Sequence, residues 1–479
     1  MDLRTLLGTI THPVTEILGP IEGDGPEIVD VSLDSRRVTP GTLFCCVRGE
    51  FVDGHDFADD AVAAGAVALL VDHRVDAQVP QLVVADVRSA MAAVSSAVFR
   101  DPSLALSVIG ITGTNGKTTT AQLLATILRV AGRRVEIIGT LTGARTTPEA
   151  PDLQRQLATW RDEGVEFVVM EVSSHALALH RVDSTRFRVA IFTNLSRDHL
   201  DFHGSMEHYF ETKAMLFGAG FSDLAVLNGD SPHGRLLEDA SSIPTDRYSI
   251  DELSDLRGGV DGSTFLWRGH RVEFDLAGSF NLSNALAAAH GALALGIDED
   301  TIARGLSSPH LVPGRFERVP LEAEFAVVVD FAHTPDGLEQ VLLAADEAVR
   351  DGGGRVIVVF GCGGDRDASK RAPMGTVAAE GADVVVVTAD NSRSEPTSAI
   401  IDEILSGIDR ARTHRFDTLI VEPDRREAIG RALAEARTGD LIVIAGKGHE
   451  TTLTIGDTVV PFDDRSVVVD VHSEMGTDA

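Results

Sequence analysis

The chain has 479 residues, 73 acidic against 42 basic side chains and a formal net charge of −31. That length exceeds one ordinary hydrophobic core and predicts about three domains, while 43% hydrophobic and 24% charged residues predict a globular chain with little disorder before a tail at 473–479. No block of Lys or Arg occurs, which argues against a nucleic-acid partner, so an anionic ligand must be met by local positive features.

The three cysteines, Cys45, Cys46 and Cys362, give neither a disulfide framework nor a zinc spacing, and a reducing cytoplasm fits them. The amino terminus carries acidic residues and Pro13 where a signal peptide has an apolar core. With no apolar run near ~18 residues, membrane insertion is not expected either.

In chain order, residues 1–104 hold short β-like runs at 28–33, 42–47, 66–71 and 82–84, with an Ala-rich helix candidate at 57–64. Over 105–313, apolar β-branched runs at 107–112, 167–172 and 189–193 alternate with helix-like segments, the pattern of a parallel sheet covered on both faces. Over 314–479 the style repeats at 325–330, 355–360, 383–388 and 440–445. The expectation is an α/β protein of three domains, with ligands at the carboxyl ends of the strands.

The run 107–111 leads into Thr112-Gly113-Thr114-Asn115-Gly116-Lys117-Thr118-Thr119-Thr120 and then a helix-like segment at 121–130. A glycine loop between strand and helix aims N–H groups at an anion, while Lys117 supplies a mobile charge and Thr118 a hydroxyl for Mg²⁺. The strict pattern wants Gly at position 111, where Ile stands, so the match is to a shorter variant with Gly113. A glycine turn capped by Thr is the plain alternative, and the Lys-Thr in register favours the triphosphate cradle.

The second strand of this domain ends in Glu171-Val172-Ser173-Ser174-His175, which places Glu171 as a Mg²⁺ ligand facing the loop or as a cap of the next helix. The third delivers Thr193-Asn194-Leu195-Ser196-Arg197-Asp198-His199, with His203 and Gly204 following. His199 and His203 suit zinc if they stand one helical turn apart, but Gly204 and the mixed sequence give poor helix support. His199 is therefore read as a Mg²⁺ ligand, and His203 as either a solvent-facing loop side chain or a functional one.

A helix over 205–217 has an apolar stripe of Met206, Tyr209, Phe210, Leu216 and Phe217, and Lys213 falls inside it. Such a lysine either snorkels out, which spacing alone favours, or loses its proton and can react with CO₂ to form a metal-binding carbamate.

These clusters, with Tyr209 to Lys213 and the downstream Gly278-Ser279-Phe280-Asn281-Leu282-Ser283-Asn284, Pro313-Gly314-Arg315-Phe316-Glu317 and Asp330-Phe331-Ala332-His333-Thr334-Pro335-Asp336, resemble the Mur ligase superfamily over nearly the whole chain. Leu33-Asp34-Ser35-Arg36, Thr146-Thr147-Pro148, the segment at 361–367 and Gly446-Lys447-Gly448-His449-Glu450 resemble its MurE type.

The resemblance implies a UDP-sugar domain at 1–104, a central P-loop ATPase with a mainly parallel sheet at 105–313, and a Rossmann-like amino-acid-binding domain at 314–479. It implies a cytoplasmic monomer that adds meso-diaminopimelate to UDP-N-acetylmuramoyl-L-alanyl-D-glutamate through an acyl-phosphate, in peptidoglycan precursor synthesis. It also implies that Lys213 is carbamylated and that Thr118, Glu171, His199 and Lys213 hold two Mg²⁺ ions.

By the same resemblance, Gly113 to Thr119, Asn284, Arg315 and Asp330 bind ATP, with Asn284 near the adenine and Asp330 near the ribose. Leu33, Ser35, Glu50, Phe51 and Val52 meet the UDP-sugar, and Thr146, Thr147, Ser173 and Arg181 hold its dipeptide arm. Leu179 stands where some members carry Gln.

The acceptor residues are Arg366, Asp390, Asn391, Ser392, Arg393, Gly446 and Glu450. Ser392 stands where diaminopimelate-adding members usually have Pro, but Arg393 suits the distal carboxylate that diaminopimelate has and lysine lacks. A surface ion pair of Arg393 with Glu395 is the plain alternative. A lysine-adding ligase, a nucleotide-dependent switch and a zinc hydrolase are the competing readings.

Overall fold

The computed structural model describes residues 1–477 apart from positions 11, 20, 50, 51, 260 and 311, so Glu50 and Phe51 lie outside the described residues. Three sheets organise the chain. In the first, Asp30–Ser32, Thr42–Cys45, Ala66–Val71 and Gln81–Val83 pair in parallel, and Glu16–Leu18 closes one edge antiparallel. Helix Val87–Val98 buries Ala90, Met91 and Val94 against Leu43, Cys45 and Leu70 of that sheet.

The second sheet is wholly parallel, in the order Thr245–Tyr248, Ala225–Asn228, Val189–Phe192, Ser107–Thr112, Phe167–Glu171, Val135–Ile138. Ser107–Thr112 therefore has a strand on each side, and its end is flanked by two other strand ends. Ile109 and Ile111 pack with Leu123, Leu124 and Ile127 of helix Lys117–Val130, while Val108 turns to the opposite core with Leu153 and Leu157 of helix Ala150–Asp162. Two covered faces explain why these strands read as unbroken apolar runs. A three-stranded antiparallel sheet, Leu253–Gly259, Gly262–Trp267 and His270–Phe274, is appended beside them and carries no signal in the reading above.

The third sheet runs Glu317–Arg318, Ala326–Asp330, Leu441–Ala445, Val356–Phe360, Val384–Val387, Thr418–Val421, parallel except for its first strand. A hairpin, Thr452–Ile455 with Thr458–Pro461, follows it. Among the described residues no helix is long and apolar enough to cross a membrane.

One local expectation is corrected. His199 and His203 do stand one helical turn apart, in the short helix Leu200–His203, where His203 N–H donates to His199 O at 3.0 Å. The turn is set by His199 in the left-handed region at φ 54°, and Gly204 at φ 74° ends it.

Candidate active site

Gly113 and Gly116 carry φ of 153° and 84°, and a Cβ on either would collide with Thr193 Oγ1 or Asn284 Oδ1 respectively. Only glycine lets the loop approach the neighbouring strand end and helix this closely. The loop is strapped there: Thr193 Oγ1 donates to Asn115 O at 2.6 Å, and Asn115 N–H donates to Asn194 Oδ1 at 2.9 Å.

Helix Lys117–Val130 begins at the loop, with Lys117 folded back so that Nζ donates to Gly113 O (2.9 Å) and Thr114 O (2.8 Å). Arg315 reaches in from the third unit, donating Nη2 to Thr118 Oγ1 at 3.3 Å with its guanidinium 4.6 Å from the Phe331 ring centre. Its Nε, although buried, has no hydrogen-bond partner among the described residues. Burial pushes both Lys117 and Arg315 below their usual pKa, which marks cations short of counter-charge.

Glu171 does not cap the next helix; Ser173 does. The buried Glu171 carboxylate instead accepts from Thr118 Oγ1 at 2.9 Å and Thr140 N–H at 2.8 Å, while its backbone carbonyl accepts from Thr147 Oγ1 at 2.8 Å. Thr147 Oγ1 in turn accepts from Ser173 N–H, and Arg181 Nη1 donates to Thr147 O at 3.4 Å. Thr146 Oγ1 lies 3.1 Å from Thr140 Oγ1. One residue thus joins the glycine loop to the segment assigned to the dipeptide arm.

Lys213 does not snorkel. It is 1% exposed, donates Nζ to Gly113 O at 2.9 Å and sits 4.6 Å from the Tyr209 ring centre. Burial, then the charge of Lys117, drives its pKa well below the lysine range, against the pull of Asp198. His199 lies 3.3 Å from Asp198, and burial first, then His175, Lys117 and Lys213, lower it to about 4 despite Asp198. His203 is buried against Ser174 Oγ at 2.9 Å, not facing solvent.

A cavity of about 550 Å³ between the central and third units is lined by Asn115, Gly116, Thr119, Asn284, Arg315 and Asp330 among others. Asn284 is a buried amide of helix Ser279–Ala294, not a surface one, and Asp330 accepts both Phe316 N–H (2.6 Å) and Ala332 N–H (2.7 Å).

A smaller cavity of about 230 Å³ is lined by Arg366, Asp390, Asn391, Arg393, Gly446 and Glu450, the expected acceptor set without Ser392. Ser392 lies buried behind it, Oγ 2.7 Å from Thr397 Oγ1. Arg393 does not pair with Glu395, which Arg371 takes at 2.8 Å; its Nη1 donates to Gly364 O at 2.7 Å. Asp198, His333 and Lys370 also line this cavity and were not singled out from sequence, although His333 stands in a recognised cluster.

A third cavity, about 870 Å³, is lined by Leu33, Ser35 and Val52, whereas Thr146, Thr147, Ser173 and Arg181 lie outside its wall, beside Glu171. A residue missed from sequence organises its deep side. The buried Glu149 carboxylate meets Arg145 at 2.5 Å, Arg181 at 3.0 Å and Arg88 at 3.3 Å. Three guanidiniums on one carboxylate leave local positive charge in a strongly acidic protein.

A triphosphate cradle between parallel strand ends, an arginine supplied by a third unit and two further cavities define a nucleotide-dependent enzyme with places for two other substrates, the layout of a ligase. Family models agree: "Mur ligase family, catalytic domain" matches residues 27–109, "Mur ligase middle domain" 111–292 and "Mur ligase, glutamate ligase domain" 314–448. The chain belongs to the Mur ligase family.

A UDP-N-acetylmuramoyl-L-alanyl-D-glutamate–2,6-diaminopimelate ligase from Syntrophomonas wolfei is 45% identical over 474 residues, covering 94% of this chain and 96% of its own. One of the same name from Solibacter usitatus is 44% identical over 499 residues, covering 99% of each. A solved structure of a ligase of that name has a TM-score of 0.66 at 33% identity, over 95% of this chain and 98% of the other. The MurF ligase of Thermotoga maritima, solved with ADP, shares the fold with a TM-score of 0.66 at 20% identity, over 94% and 98%.

Proposed function

We propose that this chain joins the D-glutamyl carboxylate of UDP-N-acetylmuramoyl-L-alanyl-D-glutamate to an amine of meso-2,6-diaminopimelate, with ATP cleaved to ADP, in peptidoglycan precursor synthesis. The observation that carries the reading is the double engagement of Glu171, side chain toward the glycine loop and carbonyl toward Thr147. It brings the place for a γ-phosphate next to the place for a carboxylate. The names of relatives more than 40% identical over nearly the full length agree with it.

The residues fit the groups this chemistry needs. Among the described residues, Lys117 and Arg315 hydrogen-bond only to carbonyls and a hydroxyl, so an anionic triphosphate would supply the missing counter-charge. Thr118 and Glu171 offer clustered oxygens suited to Mg²⁺. We assign His199 and a carbamylated Lys213 to a second Mg²⁺; a lysine driven toward its neutral form by burial has the lone pair that CO₂ requires. Bound Mg²⁺ supplies positive charge against the transferring phosphoryl group.

In this reading Thr147, Ser173 and Arg181 orient the substrate carboxylate, Lys117 and Arg315 stabilise charge on the phosphates, and the closing third unit keeps water from the acyl-phosphate. Asn284 and Asp330 hold the nucleoside end. Leu33, Ser35 and Val52 hold the UDP-sugar, and Arg88 and Arg145, held by Glu149, add charge for its anionic groups. Arg366, Asp390, Asn391, Arg393, Gly446 and Glu450 hold the amino acid, Arg393 facing its distal carboxylate. We assign the domains to 1–104, 105–313 and 314–479, and the enzyme to the cytoplasm as a monomer.

The test is phosphate release from ATP with each substrate omitted in turn. Release should need both the UDP-dipeptide and diaminopimelate. Equal or faster turnover with lysine would overturn the acceptor assignment, and no turnover with any diamino acid would overturn the cell-wall reading.

A further inference from the structure

At the far end of the first sheet lies a cluster that the ligase reaction does not use. Strand Ala66–Val71 runs out into Asp72 and His73, and the turn Gly54–Phe57 places His55 beside them. His55 is held on one nitrogen: Nδ1 is 2.6 Å from Oδ1 of Asp53, the residue that also caps the turn by accepting His55 N–H. The other nitrogen, Nε2, accepts the N–H of Asp72 at 3.4 Å and so presents a lone pair, yet it stands 3.3 Å from Asp72 Oδ1. An imidazole nitrogen and a carboxylate oxygen face each other there. The same Asp72 oxygen meets His73 Nδ1, and the two imidazoles stack with centroids 4.2 Å apart. One ligand atom from each of His55, Asp72 and His73 falls within 4.8 Å of the others.

We propose that His55, Asp72 and His73 bind one divalent cation of the zinc type, separate from the magnesium of the reaction. Two imidazoles and one carboxylate are a donor set for zinc and its neighbours, while Mg²⁺ selects oxygen. A carboxylate on the far nitrogen of a histidine is the arrangement that fixes the tautomer and aims a metal-bound imidazole, and Asp53 occupies that place. A cation between Nε2 of His55 and Oδ1 of Asp72 would meet a nitrogen and an oxygen ligand that already stand side by side. With three protein ligands a coordination position is left for water.

The side chains of His55 and His73 are 5% and 53% exposed, so the site has a rigid inner ligand and an open outer one. Arg48 pairs with Asp53 at 3.1 Å and approaches Asp72 at 3.9 Å, so it neutralises part of the acidic charge and shifts as the metal enters. The buried Cys46 is not part of the cluster, whose ligand atoms come from His55, Asp72 and His73. The metal would tie the turn Gly54–Phe57, which contributes Gly54 and Phe57 to the wall of the 870 Å³ cavity, to the end of the sheet.

The test is calorimetric titration of the chelator-treated full chain with ZnCl₂ in buffer containing excess Mg²⁺. Three proteins are compared: wild type, His73→Ala, and His208→Ala as an exposed control outside the cluster. One zinc equivalent should weaken by about tenfold or more in His73→Ala and stay unchanged in His208→Ala. Any zinc held by the active-site histidines persists in both variants and does not mimic this pattern. No zinc uptake, the same isotherm for wild type and His73→Ala, or the same loss in both variants would overturn the proposal.

Discussion

Lys117 and Lys213 in the central unit donate to the backbone carbonyls of Gly113 and Thr114, and among the described residues no carboxylate hydrogen-bonds either amine. In the third unit, Arg425 meets Asp464 at 2.8 Å with both side chains fully buried, Arg371 meets Glu395 at 2.8 Å, and Arg355 meets Asp440 at 2.8 Å. A buried cation without a partner costs free energy that a folded protein retains only where something else returns it. The paired arginines are structural, holding strand ends and loops in place. We read Lys117 as held for an anion that arrives as substrate, and Lys213, driven toward its neutral form, as the lysine that takes up CO₂.

The sharpest way to break this contrast is Lys117→Ala. Phosphate release should fall by about 10³-fold, since a preorganised charge on the transferring group is removed, while thermal stability stays level or rises. Activity within tenfold of wild type would place Lys117 among the structural cations. Lys213→Ala should cost about 10²-fold. Carbon-13 NMR of wild type in labelled bicarbonate should show a carbamate signal that the variant lacks, and a wild-type spectrum without that signal would remove the carbamate from the mechanism.

The third unit predicts the reverse pattern. Asp440 accepts from Arg355 N–H at 2.8 Å, from its Nη2 at 2.8 Å and from Arg437 N–H at 2.9 Å. Asp440→Asn should destabilise the fold by about 2 kcal/mol in denaturant unfolding, with kcat unchanged. A kcat loss without a stability loss would contradict the structural assignment.

A smaller effect, readable in pH, comes from His290. Burial alone would lower it, but the hydrogen bonds its ring donates to Asp246 (2.7 Å) and Glu252 (3.0 Å) outweigh burial and raise it to about 9. The folded state therefore holds this proton more tightly than the unfolded chain. Its contribution is fully present below about pH 6.5 and is lost as pH rises through about 9. His290→Asn should flatten the fall in stability between those limits, and an unchanged slope would assign it to other groups.

The contrast also explains what the sequence disclosed. The glycine loop is legible because strand, loop, Lys117 and helix are contiguous, and its two forbidden Cβ positions are written as Gly113 and Gly116. Each apolar run named from sequence falls at or within a few residues of a strand, because both faces of these strands are covered, whereas strands such as Val135–Ile138, Ala225–Asn228 and Thr418–Val421 were not anticipated. Spacing alone favoured the snorkel for Lys213 and erred, because its burial depends on Gly113, 100 residues away. Glu149 was silent for the same reason: Arg88, Arg145 and Arg181 come from three separate segments. His199 misled because a left-handed residue can start a helical turn that propensity does not anticipate.

Ser392 offers the smallest and most discriminating test, because it touches the acceptor cavity only through its neighbours. Its hydroxyl bonds Thr397 Oγ1 at 2.7 Å and donates to Asp390 O at 3.3 Å, bracing the backbone between Asp390 and Arg393, which itself stands at φ 49°. A proline would brace the same stretch by covalent restriction, worth roughly 0.4–1 kcal/mol through the unfolded chain, and would remove hydrogen bonds worth about 1 kcal/mol. No hydrogen bond from Ser392 N–H is present among the described residues, so proline sacrifices no backbone donor. The opposing terms nearly cancel, and Ser392→Pro should change kcat/KM for diaminopimelate by no more than about fivefold. A loss of a hundredfold would mean that the hydroxyl sets the direction of the Arg393 guanidinium. A shift of preference from diaminopimelate to lysine would move the choice of amine from the charge of Arg393 to the shape of the loop behind it.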